Sequence, residues 1–357
     1  MESTSTESKI DINKPAKHLT GKILENNWVV KENITRTFDF GAGSFAETYI
    51  VAKDGETAIL KALDFSIALL NDDPTSALVQ LSKSYNFEKE LLELCKSKKL
   101  SRIVNIISQG KIPPLDGSVI PVPYFILEYA DKDIKSQIDF DSRFNTTWLL
   151  RILHNVSVGL FQLHNQGVAH TDVRPEKIME FSKSLQKITE LGSSDKKGTE
   201  NPNKSFSPNN DPSYLTPEFL YGHEEADWVY KSQASDVYQL GGLVFFLFTQ
   251  SNFNSWLYFF IDDSHKRENW GGTYEEVLPY LTDAYDKAIY FFTAYIDDEG
   301  LRSELELALR QLCHPDVKRR GHPKEIGSTT SSMSVERFIS QFDRLASTSE
   351  IKLAVKK

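Results

Sequence analysis

The stretch Val168–Met179 constrains the fold of this chain most strongly, and it reads VAHTDVRPEKIM. It follows a predicted helix, Trp148–His164, whose apolar residues recur with the period of about 3.6 residues that marks one buried face. A glycine ends that helix and leads into a loop that carries His170, Asp172 and Arg174. A lone His-x-Asp is usually only a turn, so the meaning of this loop depends on the motifs that accompany it.

The loop resembles the catalytic loop of the eukaryotic-type protein kinases, H-R-D-L-K-P-x-N, with His170, Asp172, Arg174 and Pro175 in register. Other stretches resemble further motifs of that family, in the family's order: the Gly-rich loop at Gly41–Tyr49, the strand lysine at Ala58–Lys61, the hinge at Leu127–Ala130, the metal motif at Lys187–Gly192, the end of the activation segment at Asn210–Glu218 and the start of the central helix at Ser235–Gly241. The resemblance implies an α+β, two-lobed protein-kinase-like fold. A small antiparallel β-sheet lobe with one main helix joins a larger, mainly helical lobe.

The domain boundaries follow from this alignment, and the 357 residues exceed the usual size of a single core. We expect a flexible leader at 1–27, the sheet lobe at 28–130, the helical lobe at 131–346 and a frayed tail at 347–357. The leader has no apolar run of the length that a signal peptide requires. In the sheet lobe, Asp54-Gly55 predicts a tight hairpin turn, and apolar spacing predicts the main helix over Tyr85–Lys98.

Charge and cysteine content exclude some classes of function. A net charge of −9 argues against a nucleic-acid surface, which needs a concentrated excess of Lys and Arg. The two cysteines, Cys95 and Cys313, each lie in a stretch of helical apolar spacing, which favours buried thiols and a cytoplasmic location. The aromatic stretches Phe253–Ile261 and Tyr290–Ile296 are predicted to be core, although exposure there would imply docking of a partner.

The resemblance implies an ATP site in the sheet lobe. Lys61 is costly on a central strand unless it is paired, and its expected partner is Glu90, with Glu88 and Glu93 as rivals. Read without the resemblance, these are an edge lysine and solvated helix charges. The residues implied to contact the nucleotide, with the backbone of Glu128 and Ala130 at the adenine edge, are Gly41, Gly43, Ala46, Thr48, Lys61, Glu128 and Ala130.

The resemblance also assigns roles in the helical lobe. Asp172 is the implied acceptor of the substrate hydroxyl proton, and Arg174 steadies the transferred phosphoryl group. His170 is expected to be structural, Asp236 to anchor the loop through backbone amides, and Glu218 to pair with a late arginine. The candidates for that arginine are Arg319 and Arg320.

Three positions depart from the family pattern at the chemistry itself. Glu190 replaces the aspartate that holds magnesium, and Lys177 replaces the asparagine that is the second metal ligand. Since an ammonium cannot ligate a cation, we hypothesise that Lys177 pairs with Glu190 and partly substitutes for the metal charge. Asp211 replaces a threonine that bonds the catalytic aspartate, and a carboxylate there repels Asp172 unless Arg174 intervenes. Thr171 removes the arginine that would dock a phosphate from the activation segment, so control by loop phosphorylation is not expected.

These residues support three functions. The first is an ATP-binding, Ser/Thr-protein-kinase-like protein whose phosphoryl transfer is impaired or absent, with weakened magnesium binding. The second is an active Ser/Thr protein kinase that uses Asp172 and one magnesium ion on Glu190. A small-molecule phosphotransferase ranks last, because Thr216-Pro217-Glu218 and Asp236 resemble the protein-kinase lobe. The expected partner is a protein substrate or a protein partner, with no nucleic acid and no membrane.

Overall fold

The computed structural model describes residues 14–34, 46–115, 119–130, 132–138, 145–182, 185–203, 211–327 and 332–355. The chain forms two compact units. The sheet unit comprises Met1–Lys99, Val104–Asp131 and Asn201–Pro208, and the helical unit comprises Leu100–Ile103, Lys132–Glu200 and Asn209–Lys357. The predicted Gly41 and Gly43 lie outside the described residues.

The sheet unit is built on a five-stranded antiparallel sheet with the order β1-β2-β3-β5-β4. Its strands are β1 (Val29–Asn33), β2 (Ala46–Lys53), β3 (Glu56–Leu63), β4 (Ile106–Ile112) and β5 (Val122–Glu128). Asp54 and Gly55 have φ angles of 50° and 85° between β2 and β3, as a two-residue hairpin turn of the predicted kind requires. The antiparallel sheet predicted from the sequence is confirmed.

The main helix of the sheet unit, α1, runs over Pro74–Ser97 and therefore begins well before the predicted Tyr85. The Asp73 side chain caps it by accepting a hydrogen bond from the Ser76 backbone amide at 3.1 Å. A proline in its first turn also favours this start, because the ring fixes a helical φ where no amide is needed. A 3₁₀ turn, Phe65–Leu70, fills the segment before it.

The expected boundary of the sheet lobe at residue 28 is wrong, because the described part of the leader packs into the sheet core. Ala16 and Leu19 are fully buried, and Leu24 is nearly so. The Tyr49 hydroxyl donates to the Ala16 carbonyl at 2.6 Å, and the Ala16 amide donates to the Asp64 carboxylate at 3.3 Å. These three apolar side chains, in an otherwise polar stretch, therefore form part of the sheet core.

The helical unit contains most of the remaining elements. Its helices are α2 (Ile134–Gln137), α3 (Thr146–His164), α4 (Pro217–Leu220), α5 (Ala234–Thr249), α6 (Phe253–Phe260), α7 (Tyr274–Thr293), α8 (Glu299–Leu312) and α9 (Glu336–Val355). Its short strands are β6 (Lys132–Asp133), β7 (Val168–Ala169), β8 (Ile178–Ser182), β9 (Leu185–Ile188) and β10 (Asp195–Lys196). Helix α5 is buried nearly all round, as a central helix requires.

The expected frayed tail is also wrong, since helix α9 continues to Val355. Its late residues contact α3: Arg151 bonds Glu350 at 2.9 Å, and the Thr147 hydroxyl donates to the Ser349 hydroxyl at 2.8 Å. These contacts order the segment because they pair its polar side chains with a second helix. None of the helices that the structure describes is long and apolar enough to cross a membrane.

The aromatic stretches are core on one side only. Phe253 and Phe292 are buried, as predicted, but Phe259, Tyr290 and Tyr295 are 69%, 80% and 50% exposed. The prediction of core is therefore wrong for these three. Helices α6 and α7 each carry aromatic residues on both faces, and Tyr295 lies just after the end of α7.

Both cysteines are buried free thiols, as their helical apolar spacing predicts. Burial raises the pKa of the Cys95 thiol to about 12 and raises that of Cys313 as well.

Candidate functional site

In the sheet unit, Lys61 lies on β3 between Thr48 of β2 and Phe125 of β5. Its ammonium donates to the Glu88 carboxylate at 2.7 Å. Both side chains are largely buried, which strengthens a charge-assisted hydrogen bond relative to one in water. Lys61 is therefore paired with a carboxylate of helix α1, as the sequence predicts for a lysine on a central strand.

The predicted partner, Glu90, is corrected to Glu88. Glu90 is exposed on α1, and Glu93 accepts a hydrogen bond from Gln109 at 2.8 Å. The buried face of the helix includes Tyr85, Glu88 and further positions at helical spacing, so Glu88 points to the sheet. The sequence contained this signal, because Glu88 lies three residues after Tyr85.

The end of β5 is fixed by a reciprocal pair of hydrogen bonds. The Glu128 amide donates to the Asn105 carbonyl at 3.1 Å, and the Glu128 carboxylate accepts from the Asn105 amide at 2.7 Å. Ala130 beyond it is buried. Thr48 and Ala46 lie on β2 as predicted for the strand after the Gly-rich loop, while contact of any of these residues with adenine stays a prediction.

In the helical unit, helix α5 holds the loop after β7 by its backbone. Asp236 is fully buried, and its carboxylate accepts from the His170 amide at 2.8 Å and the Thr171 amide at 2.6 Å. Gln239, one turn further, accepts from the Val173 amide at 2.7 Å and donates to the Thr171 carbonyl at 2.9 Å. Sequence reasoning missed Gln239, although it follows Asp236 by three residues and therefore shares its helix face.

The loop presents Asp172 beside Arg174. The Arg174 Nε atom lies 3.2 Å from the Asp172 carboxylate, and the Arg174 guanidinium lies 5.6 Å from the centre of the Tyr214 ring. Burial raises the pKa of the Asp172 carboxyl, and the positive charges of Arg174 and Lys177 oppose that rise. A desolvated carboxylate of this kind is suited to accept a proton.

Lys177 and Glu190 form an ion pair in the same unit. The Lys177 ammonium donates to the Glu190 carboxylate, and the lysine side chain is 4% exposed whereas that of glutamate is 37% exposed. The Thr189 amide donates to the Lys177 carbonyl at 2.9 Å, which ties the two segments together at the backbone as well. Glu190 has a φ angle of 63°, in the left-handed region. The pairing hypothesised from the sequence is present.

A buried pair far along the chain supports the same family pattern. Arg320 is fully buried and makes two hydrogen bonds of 2.7 Å to the two carboxylate oxygens of Glu218. Arg319, the other candidate, is exposed. This bidentate geometry is the strong form of an arginine–carboxylate contact.

The comparisons with known proteins agree with this geometry. A family model described as the protein kinase domain matches residues 35–327. This chain belongs to the protein kinase family. It is 23% identical to CBL-interacting protein kinase 9 of Oryza sativa subsp. japonica over 211 residues, 58% of this chain and 41% of that protein. It is 26% identical to the Aurora kinase of Debaryomyces hansenii over 164 residues, 44% of this chain and 38% of that protein.

The chain spans about two fifths of the length of these two relatives. The eukaryotic-type Ser/Thr protein kinase family and the two-part α+β fold predicted from the motifs are confirmed. Kinase domains in general use ATP and magnesium.

The residues of this kinase domain do not fit a pair of magnesium ions. Magnesium needs oxygen ligands in a near-ideal octahedron, and an ammonium offers none. Lys177 occupies one ligand position, and one oxygen of Glu190 already accepts a hydrogen bond from its ammonium. The residues with described positions contain no group of three or more His, Cys, Asp or Glu side chains that could hold a metal ion.

The third altered position, Asp211, is exposed, and its carboxylate accepts from the Ser213 amide at 2.9 Å. It therefore caps its own turn. The Asp211 carboxylate, which the sequence predicts to lie near Asp172, is thus hydrogen-bonded to its local backbone.

Proposed function

We propose that this chain is a nucleotide-binding, Ser/Thr-protein-kinase-like protein in which phosphoryl transfer is impaired or absent. The observation that carries the proposal is the Lys177–Glu190 ion pair. It occupies both positions from which the family pattern would hold metal, and it does so with a side chain that is 4% exposed.

The positive charge of Lys177 explains why nucleotide binding can be retained while phosphoryl transfer is lost. The Lys177 ammonium is a fixed positive charge that can stabilise a phosphate without any metal. The ammonium by itself would repel a magnesium ion about 4 Å away by about 8 kcal/mol at an effective dielectric constant of about 20, which offsets most of the attraction that the paired Glu190 carboxylate would exert from a similar distance. Transfer depends on the metal to neutralise charge that develops between the phosphates, so its loss costs rate more than affinity.

A specific observation favours a second function, an active Ser/Thr protein kinase with a single magnesium ion on Glu190. The Lys61–Glu88 pair is formed, and the Asp172 carboxylate has Arg174 beside it. These are the groups that an active kinase requires for phosphate anchoring and proton acceptance. On this alternative, the second oxygen of Glu190 would ligate the metal while the first keeps Lys177.

The partner of the domain is proposed to be a protein, either as substrate or as binding partner, because the two relatives are named as kinases and the family model is that of protein kinases. The net charge of −9 disfavours nucleic acid. The buried free thiols suit a reducing, cytoplasmic setting.

Phosphoryl transfer separates the two functions. Wild type, Lys61→Ala and Asp172→Ala are incubated with radiolabelled ATP and generic protein substrates, in magnesium and in manganese. We expect no transfer by wild type above the level of Asp172→Ala. Robust labelling that either substitution abolishes would establish the active kinase instead.

A further inference from the structure

Thr171 has an unusual backbone conformation with several hydrogen bonds around it. Its φ angle of 61° lies in the left-handed region, which a β-branched residue adopts only when its surroundings hold it there. Asp236 accepts its amide at 2.6 Å, and Gln239 donates to its carbonyl at 2.9 Å. The side-chain hydroxyl then donates to the Ser193 carbonyl at 2.9 Å. Thr171 therefore joins the central helix to the start of the activation segment.

The Ser193 carbonyl is close in sequence to the ion pair. Ser193 ends a 3₁₀ turn that starts directly after Glu190. On the other side of Glu190, the Thr189 carbonyl is 2.9 Å from the His170 Nε2 atom, and the Thr189 amide donates to the Lys177 carbonyl at 2.9 Å. The chain is thus attached to the catalytic loop both before and after Glu190.

We propose that Thr171 is a positioning residue whose hydroxyl holds the turn after Glu190 in place without a phosphate on the activation segment. An arginine at this position could reach outward to a phosphate and would make the order of the segment depend on that modification. A threonine hydroxyl is short and neutral, and here its proton is already directed to the backbone of the segment. The turn is held in the unmodified chain.

The proposal concerns Glu190 as part of the nucleotide site, and to that extent it rests on the proposed function. A purely steric role of Thr171 would not depend on its hydroxyl, so variants that keep or remove the hydroxyl distinguish the two roles. Thr171→Val keeps the shape and the β-branch but has no donor, whereas Thr171→Ser keeps the donor. Thr171→Ala provides a second donor-free variant with less backbone strain, in case the valine protein does not fold.

Hydrogen exchange on the full chain tests the hydroxyl directly. Peptides that cover Leu191–Lys197 should exchange about tenfold faster in Thr171→Val and Thr171→Ala, the effect of losing one neutral hydrogen bond, and at the wild-type rate in Thr171→Ser. Thr282→Val is the matched control, because its hydroxyl makes a 2.8 Å bond to the Leu278 carbonyl on α7. It should leave exchange of Leu191–Lys197 unchanged.

A second readout follows the site itself. Titration of a fluorescent ATP analogue in EDTA should give an affinity about three- to tenfold weaker for Thr171→Val than for wild type, with Thr171→Ser restored. Treatment of wild type with a phosphatase should change neither affinity nor exchange. Unchanged exchange in both donor-free variants, or a loss of order after phosphatase treatment, would overturn the proposal. Failure of wild type to bind nucleotide would count against the proposed function alone, because the exchange experiment needs no ligand.

Discussion

Replacing the members of the Lys177–Glu190 pair one at a time should destabilise the protein unequally. Glu190→Gln removes a negative charge from an ammonium whose side chain is 4% exposed. Breaking a buried pair in this way costs about 3–5 kcal/mol, but Asp172 also interacts electrostatically with Lys177, so we expect about 2 kcal/mol. Lys177→Met leaves a carboxylate that is 37% exposed and that water can solvate, so we expect less than about 1 kcal/mol near pH 5.

The cost of Lys177→Met should also grow with pH. Burial raises the pKa of Asp172, and the charge of Lys177 limits that rise. A carboxyl with a raised pKa in the folded state contributes stability below its ordinary pKa of about 3.9 and loses it as the pH rises through the folded-state value. Removing Lys177 raises the folded-state pKa further, so the variant loses more stability at pH 8 than at pH 5.

Differential scanning fluorimetry measures both effects. A loss of about 1 kcal/mol shifts the Tm of a unit of this size by about 2–4 °C, so Glu190→Gln should melt about 4–8 °C below wild type. Lys177→Met should melt within about 4 °C of wild type at pH 5. Lys287→Met is the control, since its pair with Asp283 is exposed on α7 and should matter by less than about 2 °C. Equal Tm shifts for the two pair variants, or a cost of Lys177→Met that falls as the pH rises, would show that burial does not set the energy of this pair.

Two further predictions concern the other ion pairs of the site. Glu88→Gln should weaken binding of a fluorescent ATP analogue about tenfold, because it removes the charge-assisted hydrogen bond to Lys61. Glu90→Gln is the control and should bind the analogue as wild type does. Equal affinities of the two variants would contradict the assignment of Glu88 as the partner of Lys61. Glu218→Gln should lower the free energy of unfolding by about 3–5 kcal/mol in urea denaturation, because the fully buried Arg320 guanidinium loses its counter-charge, and a loss below about 1 kcal/mol would contradict this.

Much of the fold could be predicted because its determinants are local. Asp54-Gly55 specifies a hairpin by turn chemistry, and the apolar period of Trp148–His164 specifies a helix that the structure has over Thr146–His164. The Lys177–Glu190 pair could be anticipated because both residues stand where the family pattern has metal ligands, so a lysine at one position is expected near the carboxylate at the other.

The misses have a different physical origin. Glu90 is predicted because it follows Phe87 by three residues, but Glu88 and Glu90 lie on opposite sides of α1, and the structure buries the side that carries Tyr85 and Glu88. Burial of Ala16 and the order of α9 up to Val355 depend on tertiary contacts that leave little trace in polar, small-residue sequence. Long-range packing determines these two features, and the local sequence composition does not indicate them.

The claim that matters most is that the Lys177 ammonium replaces the metal at the phosphates. Isothermal titration calorimetry of wild type with ATP, in magnesium and separately in EDTA, tests it most directly. We expect binding in both buffers with dissociation constants within about threefold of each other, since the fixed charge is present in each. An affinity that falls by more than about tenfold in EDTA would show that the site still depends on a divalent ion and that the Lys177 ammonium does not replace it.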